Sequence, residues 1–240
     1  MRTAVLFFTI ATVIAIAVIE GAAYVALHRQ DFAWTRLDLD EPIGRATRAK
    51  LVRLRGDADQ CRRLLAAIGD ADAAARPVTA GAHCGYDDGM RLLPERPSSI
   101  RYQPAEPVTS CAMAAGLALW ERDIVQPAAI EHLGSPIVRV HHAGSYACRR
   151  LYGRSEGGYS EHATANAFDV TGFTLADGRT ISVLRDWKRD GPSAAFLRDI
   201  RDGGCRLFAT VLSPDYNAAH ADHLHFDQAE RGISGWGLCR

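Results

Sequence analysis

The chain has 240 residues, enough for one substantial domain with a tail or for two small domains. It balances 28 Lys+Arg against 28 Asp+Glu, and 48% of it is hydrophobic. Neutrality without a Lys/Arg cluster argues against a nucleic-acid binder, and the lack of repeats or low-complexity runs argues against a fibrous structural protein.

In chain order, the first element is an apolar run, TAVLFFTIATVIAIAVIEGAAYVAL, over residues 3–27. As a helix it is long enough to cross a bilayer, and no polar face marks it as a core helix. Its basic n-region is short, its apolar stretch is long, and no clean A-x-A site precedes a polar start. These features favour an uncleaved anchor over a cleaved signal. Charge on both flanks (Arg2 on one side, Arg29 and Arg36 on the other) leaves the orientation open. Residues 28–45 are mixed and polar, as in a juxtamembrane linker, and residues 46–240 are expected to form the domain.

Apolar positions Leu51, Leu54, Leu64, Leu65 and Ile68 predict a helix over about 47–68. Prolines 77, 94, 97, 104 and 107 predict loops and short strands over 76–109. A long helix follows, capped by Ser110, ended by Gly134, and kinked or divided at Pro127. Residues 136–146 alternate like a strand. Residues 166–184 read as a hairpin about Asp177-Gly178. Residues 192–204 form a helix with Pro192 at its start, and 205–212 and 223–229 are further strands. This order predicts an α+β domain, with a small antiparallel sheet and flanking helices, preceded by one N-terminal transmembrane helix.

Six cysteines (Cys61, Cys84, Cys111, Cys148, Cys205 and Cys239) all follow the apolar run, and no CxxC pair occurs. An even number scattered behind an export segment predicts three disulfides in an oxidising compartment. The domain is therefore expected in the periplasm, anchored to the inner membrane through residues 3–27, or secreted if the segment is cleaved.

Two stretches carry chemistry, SEHATANAFDV (160–170) and HADHLHFD (220–227). On a strand, residues two apart share a face, so His223 and His225 would enter one cleft. A neighbouring strand carrying Asp169, with His162 on the Gly-rich approach to it, would bring two imidazoles and a carboxylate together. Two nitrogens and one carboxylate with an open fourth position is a catalytic zinc arrangement, whereas structural zinc sites are usually closed by cysteines. The competing reading, a hydrogen-bonded His–Asp pair, needs no metal. Trp120, Trp187 and Phe196 read as core, Asp87-Asp88 as a turn, and His141-His142 as structural.

These stretches resemble the paired motifs S-x-H-x(6)-D and H-x-H of the zinc peptidases that include D-alanyl-D-alanine carboxypeptidases and penicillin-insensitive murein endopeptidases. Ser160, His162, Asp169, His223 and His225 match position for position. The wider stretch from about Cys84 to Cys239 resembles the bacterial extensin-like C-terminal domain family. The resemblance implies that His162, Asp169 and His225 hold Zn2+, leaves His223 beside the metal as a candidate proton carrier or transition-state donor, and makes His220 a candidate supporting residue. Some relatives place a glutamate just before the last ligand. Leu224 stands there in this chain, which leaves the general base between His223 and Asp222. Relatives also place a substrate-binding arginine upstream, for which Arg149 comes first, then Arg150 and Arg154. The implied substrate is the peptide of peptidoglycan. A wall-binding or scaffold module that keeps the fold without catalysis is the alternative. Cys148 and Cys205 flank the site in sequence and are the first pairing expected; such a bridge would brace the loop carrying Arg149.

Overall fold

The computed structural model describes residues 2–69, 74–94, 100–231 and 237–240. Helix α1 (Arg2–Leu27) comes first, and its Val5–Leu27 portion is long and apolar enough to span a membrane, with none of it buried. That is consistent with a membrane anchor or a signal sequence. Residues 28–45 connect α1 to the domain and also fold onto it, placing Leu37 and Leu39 in the core. Lys50 of α2 (Thr47–Arg53) ties this segment down. Its ammonium donates to Arg29 O (2.8 Å), Thr35 Oγ1 (2.8 Å) and Gln30 Oε1 (3.2 Å), and Gln30 Nε2 donates to Asp38 O (2.7 Å).

The helix expected over 47–68 is two helices, α2 and α3 (Ala58–Ala67), with a 3-10 turn at Leu54–Gly56. Asp57 makes the break, because its carboxylate accepts from Gln60 N (2.9 Å) and starts a new helix. Short strands follow: β1 (Val78–Thr79), β2 (Gly85–Tyr86), β3 (Gly89–Arg91), β4 (Arg101–Gln103) and β5 (Val108–Ser110). Ser110 then caps α4 (Cys111–Trp120), all ten residues of which are buried. A π-turn over Glu121–Val125 leads into α5 (Gln126–Leu133). Pro127 has no N–H and its ring would crowd the carbonyl four residues back. The wider turn, in which Gln126 N donates to Glu121 O, accommodates it without breaking the helix.

Beyond α5 lie β6 (Ile137–Gly144), β7 (Ala167–Leu175), β8 (Thr180–Ser182), α6 (Val183–Asp186), α7 (Pro192–Gly204), β9 (Thr210–Leu212), β10 (Leu224–Asp227) and β11 (Leu238–Cys239). The main sheet runs β11-β9-β10-β7-β6-β4, with β8 also paired to β7, giving seven strands. It is therefore larger than the small antiparallel sheet expected, and mixed, because β4 lies parallel to β6 and β11 parallel to β9. A parallel pair needs a long crossover, and α4 and α5 supply it between β4 and β6. Only Thr210–Leu212 of the predicted 205–212 strand is extended. Leu207 and Phe208 are instead buried in the turn after α7, where Phe208 packs so closely on Gly116 of α4 that a Cβ there would meet its ring at 2.8 Å.

The two faces of β10 divide the molecule. Leu224 and Phe226 face the helices, with Phe226 against Trp120 (ring centroids 5.0 Å) and Phe208 (4.8 Å). His225 and Asp227 share the opposite face, where their side chains meet. Three disulfides join Cys61 to Cys111, Cys84 to Cys148 and Cys205 to Cys239. The Cys148–Cys205 pairing is thus incorrect. Cys148 follows β6 and Cys205 precedes β9, and these strands stand three spacings apart, about 14 Å. A disulfide needs Cα atoms within about 7 Å.

Replacing Lys50 by Met leaves several acceptors of residues 29–36 without their shared donor. The expected cost is about 1–3 kcal/mol, with new protease cleavage between residues 29 and 45. Unchanged stability and an uncut segment would show that Lys50 does not hold the junction.

Candidate metal centre

His162, Asp169 and His225 come from three places in the chain. β7 and β10 pair antiparallel with His225 opposite Asp169, so the register alone brings imidazole and carboxylate together. His162 arrives on a 3-10 turn (Glu161–Thr164) just before β7. Ser160 caps that turn, its Oγ accepting from His162 N (3.4 Å), so its role in the fold is to shape the loop. Ala165 ends the turn at φ 54°, in the left-handed region that a non-glycine residue seldom adopts. Its carbonyl is held there by Ser110 N (2.7 Å) and Thr109 Oγ1 (2.9 Å). Asn166 donates to Glu161 (2.5 Å) and accepts from Ser110 Oγ (3.0 Å), stitching the turn to the start of α4.

The three side chains are buried and their donor atoms converge. His162 Nε2 lies 3.1 Å from Asp169 Oδ2 and 3.3 Å from His225 Nδ1, and His225 Nδ1 lies 2.9 Å from Asp169 Oδ1. Donors bound at about 2.0–2.2 Å around a tetrahedral ion stand about 3.3 Å from one another, so these spacings suit one small cation. The outer partners also fit. A carbonyl oxygen can only accept, so His162 Nδ1 donates to Ser145 O (2.6 Å), and its Nε2 points inward. Likewise His225 Nε2 donates to the Asp227 carboxylate (3.1 Å), turning Nδ1 inward. Fixing the outer nitrogen of each ring in this way is how proteins orient imidazole ligands.

Without a cation the cluster is held by protons. Burial raises the Asp169 pKa, but hydrogen bonds from His162 and His225 outweigh this and hold the carboxyl well below the usual carboxylate range. Burial lowers His225, yet its bonds to Asp169 and Asp227 prevail and push it up to about 9. His220 goes the other way, to about 4, through burial and then the neighbouring His223 and His225. Its Nδ1 donates to Asn217 Oδ1 (2.8 Å).

The remaining predicted residues separate by position. His223 stands beside the cluster, with Nε2 3.6 Å from Asp169 Oδ1 and Nδ1 donating to Asp222 Oδ1 (2.8 Å). Asp222 itself has 63% of its side chain exposed and reaches the centre only through His223. The cluster lies in a cavity of about 670 Å³ that is also lined by Arg149, Tyr152, Tyr216, His220 and His223. Arg149 follows Cys148, whose bridge to Cys84 braces this loop. Arg150 is occupied elsewhere, stacked 4.5 Å from the Tyr159 ring, and Arg154 lies over Tyr152. Asp227 had not been expected. The alternation in HLHFD that pairs His223 with His225 also puts Asp227 on that face, and continuing it two residues would have found it.

An α+β domain with a buried His–Asp–His cluster at a surface cavity is the class so defined. Residues 59–240 match the family described as "Extensin-like protein C-terminus", and the chain belongs to that family. Searches of curated proteins and of solved structures gave no match.

Two outcomes follow from the cluster. His225 has a folded-state pKa above the ordinary imidazole value of about 6.5. It therefore stabilises the metal-free fold fully below about pH 6.5, and this contribution is lost as pH rises through about 9. Thermal melts with a chelator should fall across that window in the intact chain and stay flat in His225→Gln; parallel slopes would contradict the assignment. Asp227→Asn removes the charge that orients His225, so zinc affinity should drop about 10–100-fold, read by competition with a chromogenic chelator.

Proposed function

We propose that the chain is a zinc-dependent peptidase that hydrolyses amide bonds in peptidoglycan stem peptides or cross-links outside the cytoplasmic membrane. The observation that carries this reading is the convergence of His162 Nε2, Asp169 and His225 Nδ1, with both outer ring nitrogens committed to acceptors. The match of Ser160, His162, Asp169, His223 and His225 to the zinc-peptidase pattern adds the reaction class. Three disulfides and the apolar helix α1 suit a domain anchored at the inner membrane and facing the periplasm.

In this reading His162, Asp169 and His225 would hold the zinc, which would supply Lewis acidity toward a carbonyl and toward water at neutral pH. His223 handles the proton. With Nδ1 donating to Asp222, its Nε2 carries a lone pair beside the cluster. It takes a proton from the attacking water and returns it to the leaving amine nitrogen. Asp222 positions that ring. Arg149, exposed in the cavity, binds a substrate carboxylate or the oxygen on which charge develops. Neutral His220 adds no competing positive charge near the cluster at neutral pH.

Incubating the full chain in detergent with zinc and purified peptidoglycan should release new stem-peptide fragments detectable by mass spectrometry. His225→Ala should release none. His223→Gln should keep its zinc but slow release about 10²–10⁴-fold. Identical digests with folded, zinc-loaded intact chain and His225→Ala would defeat the peptidase reading, and retained wall binding would then favour a non-catalytic module.

A further inference from the structure

The cavity carries a second arginine that the peptidase reading does not use. Arg231 follows β10 and lines the same cavity as the cluster. Its Nε donates to Thr210 Oγ1 (2.9 Å) and its Nη2 reaches the same hydroxyl, so one neutral oxygen on β9 fixes the guanidinium. A guanidinium has five N–H donors, and one hydroxyl leaves most of them available. Among the described residues no carboxylate lies within ion-pair distance of Arg231. Of the acidic groups of the cavity wall, Glu161 and Asp227 are engaged elsewhere. Glu161 binds Asn166 and pairs with Arg55 (3.5 Å), and Asp227 serves His225 and Ala229 N. Glu230 is exposed and forms no ion pair with Arg231.

Position gives this arginine its meaning. Arg149 comes from the loop after β6, whereas Arg231 is fixed on β9, and the sheet order β9-β10-β7-β6 puts both cluster strands between them. Strands β6 and β9 stand about three strand spacings apart, about 14 Å, with Asp169 and His225 on the strands in the middle. A cationic fork on either side of a hydrolytic centre, neither one neutralised by the protein, fits a ligand with an anion on each side of its reacting bond.

We propose that Arg231 forms a second carboxylate subsite, so that the cavity selects peptides bearing carboxylates on both sides of the amide held at the cluster. This rests on the peptidase reading and narrows it to branched or cross-linked acidic peptides, with Arg149 and Arg231 taking opposite sides.

The test measures equilibrium binding to the full chain in detergent, with a chelator present so that no peptide is consumed. The probes are a synthetic cross-linked stem-peptide dimer with all carboxylates free and versions amidated at one carboxylate at a time. The proteins are the intact chain, Arg231→Gln, Arg231→Lys and Arg149→Gln, with zinc-dependent cleavage of the same peptides followed separately. Arg231→Gln is expected to weaken the free dimer about 10–100-fold, and to cause no loss for one particular amidated version. Arg149→Gln should be insensitive to a different amidation, and Arg231→Lys should recover part of the loss. Equal losses for free and amidated peptides, no loss at all, or no binding of the free dimer to the intact chain would overturn the subsite. Charge-coupled binding without cleavage keeps the subsite and removes the peptidase reading. Cleavage without charge coupling does the reverse.

Discussion

Asp169 sits on an inner strand of the sheet with little access to water, and a carboxylate in that position must find compensating charge or donors close by. It finds His162 and His225, and each imidazole is in turn held by an acceptor behind it, Ser145 O or Asp227. The requirement runs outward from there. The β7–β10 register must put residue 225 opposite residue 169, since a slip of one would turn His225 into the helices and Phe226 into the cavity. The strained Ala165 must deliver His162 within one turn of β7, and the carbonyl of Ala165 is pinned from β5 and the start of α4 to make that possible.

The other side of the sheet supplies the stiffness. Helix α4 has no polar face, and its small residues let Phe208 and the sheet approach its backbone. Trp120, Phe173, Phe196, Phe208 and Phe226 interlock beneath the cluster strands. A polar site on one face and an aromatic core on the other therefore share the same four residues of β10. This is why each of them is buried while only two are apolar.

Much of this was legible in the sequence because it is local. The period of two in HLHFD, the turn at Asp177-Gly178, the cap at Ser110, the helix start at Pro192, and the spacing from His162 to Asp169 all express themselves within ten residues. What was not legible depends on partners far away in the chain. Nothing in RYQ or LC announces a parallel edge strand, because each needs a long crossover to reach its neighbour. The pairing of Cys148 with Cys84 depends on strand order, which residue spacing does not encode. Asp57 and Pro127 were visible as residues, but whether they divide a helix or are absorbed by it was decided by a cap in one case and a widened turn in the other. Arg231 bore no local signal at all, since its significance lies in what stands around it.

The knot at Lys50 has a mechanical meaning. Helix α1 ends at Leu27 and Gln30 is already buried against the domain, so only two residues lie between them, and the three steps span at most about 10 Å of chain at full extension. If α1 is held in a bilayer, the domain is mounted on a short post. Its cavity would patrol only a thin layer above the lipid, and anything farther from the membrane would have to come to it.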